Sequence, residues 1–232
     1  MKTYAIVLGG GSGTRMGAEI NKVLLPLRGV PAIIRAIAPF TGFCDGVVVV
    51  TRARDHEAMQ AVLARYGLMR AVIALVDGGA DRQASVAAGL AALPADAEGV
   101  LIHDGARALV SEEVIRRCIA SLEQKGSGVA SLAVTDTIKR VDDQERALET
   151  LDRAMLRAMQ TPQAFRVEEL RRAHAQALSE GFIATDDAAL LEHAGLPVYL
   201  CEGSKENIKL TTAFDLRLAE VILSSRDEEG KS

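Results

Sequence analysis

The sequence predicts an α/β protein, doubly wound around a mostly parallel sheet, with a β-hairpin arm protruding from it. Three observations carry that expectation. Short, β-branched apolar runs recur at 4–8, 47–50, 71–76, 100–102, 129–134 and 198–200, and they are largely continuous, as in strands buried on both faces. Helical patterns lie between them, and strand–helix alternation is the signature of the doubly wound class. One polar stretch, 136–159, breaks the alternation.

The first run, 4–8, reads as a buried strand. It leads into Leu8-Gly9-Gly10-Gly11-Ser12-Gly13-Thr14-Arg15-Met16-Gly17, followed by Asn21-Lys22. Glycines let backbone N–H groups approach a ligand without Cβ obstruction, and consecutive N–H groups form an anion-binding concavity. Arg15 adds a planar fork and Lys22 a mobile point charge. Together these predict a triphosphate cradle, Gly9, Gly10, Gly11 and Gly13 with two cations. The string is neither a Walker A loop nor a G-x-G-x-x-G fingerprint, because Lys22 follows Asn21 and the third glycine position falls on Met16 or Thr14. A plain strand-to-helix connection is the alternative.

Ligands of such sheets sit outside the carboxyl ends of the strands, so the next strand ends matter. Asp77-Gly78-Gly79, with Arg82 and Ser85 behind it, follows the 71–76 run. Gly78-Gly79 reads either as a base-reading backbone or as a turn, and Ser85 as a base contact or as the start of a helix over 85–93. His103-Asp104-Gly105-Ala106-Arg107 follows 100–102. Asp104 reads as a holder of Mg²⁺ or of a substrate hydroxyl, or else as a helix cap or a loop salt bridge with Arg107 as partner. Residues 112–125 place Val114, Ile115, Cys118, Ile119 and Leu122 on one helical stripe, with Ser111 placed to cap it and Glu112 and Glu113 in the first turn. His56, His174 and His193 read as surface residues.

In 136–159, the segment 137–140 starts a strand, 147–151 returns it, and Asp142-Asp143-Gln144 makes the tip. This is an arm of the kind a partner subunit stabilises, or else a surface loop. Thr212-Ala213-Phe214-Asp215 resembles a capping box, after which Phe214, Leu218, Val221 and Ile222 share a face. The end, 224–232, reads as a frayed tail.

The 232 residues are expected to form one domain, 1–232, with the arm at about 136–159. A net charge of −4 argues against a nucleic-acid scaffold. Cys44, Cys118 and Cys201 are widely spaced and odd in number, which indicates neither a disulfide framework nor a zinc site. No signal peptide or bilayer-length apolar run is read, so the expected location is cytoplasmic, with no membrane partner.

These motifs, with Asp136-Thr137, Asp152-Arg153, Thr161-Pro162-Gln163, Thr185-Asp186-Asp187-Ala188 and Asn207-Ile208-Lys209, together resemble the 2-C-methyl-D-erythritol 4-phosphate cytidylyltransferase family over nearly the whole chain. The resemblance implies a nucleotide-diphospho-sugar-transferase-like fold that dimerises through its β-arm. It implies a reaction between CTP and methylerythritol phosphate, with Mg²⁺ or another divalent cation bridged by the CTP phosphates and no metal ligand assigned to the protein. Arg15 and Lys22 would be catalytic. Gly79 and Ser85 would read cytosine, with Gly10 and Gly105 near base and ribose. Asp104, Thr137, Arg153 and Lys209 would bind the polyol phosphate, Thr137 and Arg153 across the dimer, and Thr185 and Asp186 would close the pocket. The chain departs from the family's usual residues at Leu8-Gly9-Gly10-Gly11, Thr14, Ala80, Gly105 and Ala108. A polyol-phosphate relative acting on ribitol 5-phosphate has a glycine loop closer to this one, whereas 185–192 and Asn21-Lys22-Val23 favour the isoprenoid enzyme. A catalytically idle nucleotide-binding protein is the reading from another class.

Overall fold

The computed structural model describes residues 1–10 and 21–229. In chain order the elements are β1 (Thr3–Leu8), the short β2 (Pro26–Leu27) and β3 (Val30–Pro31), α1 (Ala32–Ile37), β4 (Gly46–Thr51), α2 (His56–Arg65), β5 (Val72–Asp77), α3 (Arg82–Ala91), β6 (Gly99–Asp104), α4 (Glu112–Lys125) and β7 (Ser127–Ala133). There follow β8 (Lys139–Val141), β9 (Ala147–Thr150), β10 (Arg157–Arg166), α5 (Val167–Glu180), α6 (Asp187–His193), β11 (Leu200–Glu202) and α7 (Ala213–Glu229).

Seven strands form one sheet in the order β11-β7-β10-β6-β1-β4-β5. All pairs are parallel except those of β10, which runs antiparallel to both β6 and β7. Alternate residues of each strand feed two cores. Ala5, Val7, Val47, Val49 and Leu101 meet α1, α2 and α4 on one face, and Ile6, Val48, Val50, Val100 and Ile102 meet α3, α5 and α6 on the other. Burial on both faces explains why these strands read as continuous apolar runs.

Five of the six expected sheet strands are present, the run 198–200 shares only Leu200 with β11, and the helix over 112–125 has the expected limits, with Ser111 accepting from Val114 N. β10 escaped the sequence reading. Its string, Arg-Ala-Met-Gln-Thr-Pro-Gln-Ala-Phe-Arg, is poor in β-branched residues and carries Pro162, which argues against a central strand. The sheet tolerates it because the pairing with β7 shifts register between Met159 and Gln163. The segment 136–159 therefore holds an arm and the first residues of β10. The arm itself is the antiparallel pair β8–β9, every residue of which is exposed.

Three further expectations change. The 85–93 helix begins earlier, at Arg82, because the Asp81 side chain accepts from Ala84 N. The capping box at 212–215 forms, with Asp215 Oδ2 accepting from the amides and hydroxyls of Thr211 and Thr212. However, α7 docks through Ala219, Leu223 and the partly buried Leu216 and Ile222, leaving Phe214, Leu218 and Val221 exposed. Residues 224–229 are helical rather than frayed: Arg226 donates to Leu109 O at 3.0 Å and Arg28 to Ser224 Oγ at 2.8 Å.

Candidate active site

The carboxyl ends of β6, β1, β4 and β5 finish level, with Leu8 opposite Asp104 on one side and Val50 on the other, and Thr51 opposite Asp77. Each departing loop extends the ladder by one bond. Gly105 N donates to Leu8 O at 2.9 Å, Gly9 N to Val50 O at 2.7 Å, and Gly78 N to Thr51 O at 2.8 Å. Gly9, Gly78 and Gly105 thus stand side by side across the mouth of the sheet. A Cβ at Gly105 would lie 2.8 Å from Leu8 O, and one at Gly79 2.4 Å from Ala84 Cβ. Close backbone approach requires glycine at both.

Ser85 holds the turn of which Gly79 is part: its hydroxyl accepts from Gly79 N at 3.1 Å and donates to Asp81 O at 2.7 Å. Asn21 is buried at the other side of the mouth. Its Nδ2 donates to Gly9 O at 2.6 Å and to Asp55 Oδ2 at 3.0 Å, and its Oδ1 accepts from Val23 N at 3.4 Å. Asn21 therefore draws the two ends of the glycine loop together and caps the turn that carries Lys22. Gly11, Gly13 and Arg15 lie outside the described residues.

Asp104 ends β6 with its side chain mostly buried. Lys209 Nζ approaches it at 2.7 Å and Arg82 Nε at 3.5 Å. Arg82 also reaches the fully buried Asp187 with Nη2 at 2.7 Å. Burial alone would raise the Asp104 carboxyl, but Lys209 and then Arg82 overcome it and hold the group at about 2. Burial opposes the Arg82 charge too, yet Asp187 and then Asp104 leave its guanidinium raised. The alternative reading of Asp104, a bridge to Arg107, gives way to Lys209 and Arg82. Arg107 donates instead to Asn207 O at 2.7 Å, and Asn207 in turn donates to Thr161 O at 2.8 Å, which ties the Lys209 loop to β10.

His103, buried behind Asp104, is pinned at both nitrogens. Nε2 lies 3.1 Å from Arg107 O and Nδ1 3.0 Å from Thr161 Oγ1. A carbonyl only accepts, so Nε2 carries the proton and Thr161 donates to Nδ1. Thr161 Oγ1 also accepts from Asp104 N at 3.0 Å. Burial pushes the imidazole down to about 4, so it is neutral.

Asp186 Oδ1 caps α6 through Ala189 N at 3.0 Å, and Gln163 of β10 bonds Asp186 Oδ2 and the amides of Asp187 and Ala188. Thr185, exposed, precedes this tether. The fold thus gathers Gly9, Gly10, Gly79, Ser85, Asp104, Gly105 and Lys209 at one end of the sheet. Thr137 and Arg153 are exposed at the root of the arm, where Arg153 donates to Thr135 O at 2.7 Å. His174 is buried rather than at the surface, 3.8 Å from Asp187.

Arg82, Thr161, Gln163, Asn207 and Asp187 are the site residues to which sequence reasoning gave no individual role. Their partners lie up to about a hundred positions away in sequence, so no local pattern carries the signal. A cation at Asp104 would meet Lys209 and Arg82, both positive. The Asp104 cluster therefore suits a substrate hydroxyl or anion, not a protein-held metal, and among the described residues no group of three metal-ligating side chains forms.

The family model of 2-C-methyl-D-erythritol 4-phosphate cytidylyltransferase (IspD) matches residues 3–225. A Synechococcus sp. (strain WH7803) protein of that name is 44% identical over 96% of this chain and 100% of its own length, and one from Geobacillus thermodenitrificans is 43% identical over 99% and 100%. The crystal structure of the Thermus thermophilus cytidylyltransferase superposes with a TM-score of 0.77 at 31% identity, covering 96% of this chain and 98% of that one. The Anaerococcus prevotii 4-diphosphocytidyl-2C-methyl-D-erythritol synthase gives a TM-score of 0.85 at 28% identity, with the same coverage. With the strand-end site formed on this fold, the chain belongs to the 2-C-methyl-D-erythritol 4-phosphate cytidylyltransferase family.

Proposed function

We propose that this chain transfers CMP from CTP to 2-C-methyl-D-erythritol 4-phosphate, giving 4-diphosphocytidyl-2-C-methyl-D-erythritol and pyrophosphate for isoprenoid synthesis in the cytoplasm. The observation that carries the reading is the row of glycine strand ends beside the Asp104–Lys209 pair, on a chain similar to this family along its length. A phosphate oxygen of the acceptor attacks the α-phosphorus of CTP, and the bond to pyrophosphate breaks. That oxygen is already ionised near neutral pH, so no general base is needed. His103 fits this, since both its nitrogens are occupied.

Arg15 and Lys22 stabilise the charge that gathers on the phosphoryl oxygens. Asn21 preorganises Lys22 by capping its turn. Gly9, Gly10, Gly11 and Gly13 cradle the triphosphate, while Gly79, Ser85 and Gly105 face the nucleoside. A divalent cation, held by the triphosphate rather than by a residue of this chain, would add to the neutralisation of the leaving pyrophosphate. Asp104 accepts from acceptor hydroxyls, Lys209 supplies positive charge beside it, and Thr185 borders the pocket. We read residues 1–232 as one domain whose arm pairs two copies and offers Thr137 and Arg153 to the partner's site. No helix among the described residues is long and apolar enough to cross a membrane.

Pyrophosphate release from CTP and Mg²⁺ tests the reaction, with methylerythritol phosphate and ribitol 5-phosphate compared. Release with the first is expected. CTP binding with no release on either acceptor would overturn the enzyme reading, and release with ribitol 5-phosphate alone would overturn the acceptor. Mixed dimers of Arg15→Ala and Arg153→Ala subunits should exceed either parent in activity, and equality would remove the cross-subunit role.

A further inference from the structure

Two of the three cysteines, far apart in sequence, come together in space. Cys118 lies in the buried stripe of α4, and Cys201 lies on β11, opposite Ala130 of β7. Both belong to the core beneath α4. Cys201 Sγ is 3.6 Å from the carbonyl of Arg117, the residue before Cys118, and Cys118 Sγ is 3.6 Å from Pro162 O. The two thiols are close enough that each shifts the other's ionisation.

We propose that Cys118 and Cys201 form a redox-reactive dithiol that reduces hydrogen peroxide as a disulfide closes between α4 and β11. The pair is asymmetric. Cys118 is fully buried and Cys201 is partly exposed. Cys118 first, then Ser121, Lys125 and Arg117, favour the Cys201 thiolate and lower that group, while Cys118 is raised. The thiolate is the nucleophile, which makes Cys201 the attacking sulfur and Cys118 the resolving one.

The chemistry closes in two steps. Cys201 sulfur attacks one peroxide oxygen, the O–O bond breaks, and the departing hydroxide takes up a proton as water, leaving a sulfenic acid. Cys118 sulfur then attacks the Cys201 sulfur, the S–O bond breaks, and the oxygen leaves as a second water with the Cys118 proton. Two thiols lose two electrons and two protons, and one peroxide becomes two waters. The bond would staple β11 to α4 at the root of the loop that carries Asn207 and Lys209.

Cys44 is an internal control. Burial, and then Asp45, push its thiol up to about 12, so it should stay reduced. The test treats the full chain with stoichiometric hydrogen peroxide, alkylates it, and maps peptides by mass spectrometry. Loss of two hydrogens with a Cys118–Cys201 crosslink and an alkylated Cys44 is the expected result. Cys118→Ser should accumulate a dimedone-reactive sulfenic acid at position 201, and Cys201→Ser should leave Cys118 reduced. A wild-type chain in which Cys201 passes to sulfinic acid without a crosslink, or in which Cys44 oxidises as fast as Cys201, overturns the proposal.

Discussion

Two arginine–carboxylate pairs in this molecule use the same chemistry and do different work. Arg82 meets Asp187 at 2.7 Å, with the carboxylate side chain fully buried and the guanidinium 27% exposed. Arg140 meets Glu149 at 3.1 Å across the arm, with 62% and 46% of the two side chains exposed. The first pair joins α3 to α6 beside Asp104, so the position of each partner fixes the other. The second spans two strands that bury nothing, and a two-stranded hairpin is marginal alone. The difference teaches that the Arg82–Asp187 pair is structural for the protomer, whereas the Arg140–Glu149 pair holds no buried element in place.

A double-mutant cycle breaks the buried pair most severely. Arg82→Leu should cost about 3–5 kcal/mol, because it strands the Asp187 carboxylate in the core. Arg82→Leu with Asp187→Leu should recover much of that loss, as apolar replacement of a whole buried pair often does. Urea unfolding of the two single variants and the double variant reads the coupling. Additive losses would mean that the partners do not depend on each other.

The next effect is read against pH. His103 binds its proton at about 4 in the fold and at 6.5 in its ordinary state. Between those values the unfolded chain holds more protons, so stability falls as the pH is lowered. The contribution is complete above 6.5, declines below it and levels off near 4, a change of about 3 kcal/mol. Asp104, held at about 2 against 3.8, adds a second decline over the lower window. Unfolding midpoints across pH should therefore drop from neutrality to 4 in the wild type, and the upper decline should flatten in His103→Gln. A flat wild-type profile over that window would contradict the neutral, locked imidazole. Smaller again is Thr161→Val, which leaves His103 Nδ1 and Asp104 N without their shared hydroxyl and should cost about 1–3 kcal/mol. Thr161→Ser, keeping the hydroxyl, should retain most of the stability, and equal losses for both substitutions would assign the effect to packing.

These residues also mark how far the sequence can be read. Strands buried on both faces betray themselves by β-branched runs, and the loops at their ends by glycine, so Gly9, Gly79, Asp104 and Gly105 are legible from the residues alone. The capped helices at Ser111 and Thr212 are legible because a cap is a local hydrogen bond. β10 is not, since its register shift makes room for a proline that local rules exclude. Asp187 and Thr161 are not, because their partners, Arg82 and His103, come from other elements. The docking face of α7 is misread because Phe214 and Val221 are apolar yet lie away from the groove that Ala219 and Leu223 fill. Periodicity gives a helix its apolar residues but not the identity of what lies opposite them.

The smallest expected effect completes the comparison. Arg140→Ala, Glu149→Ala and their double variant should each leave protomer stability within about 0.5 kcal/mol of wild type, because both groups stay hydrated and the long side chains lose entropy by pairing. The same urea experiment used for Arg82 and Asp187 makes the two cycles directly comparable. If the arm pair is isolated in solution, its coupling should be near zero and should vanish in added salt. If two copies pair through their arms, burial in that interface would lower the local dielectric and raise the coupling, and the increase should depend on protein concentration. A coupling as large as that of the buried pair in dilute protein would show that the arm is held by its own protomer after all.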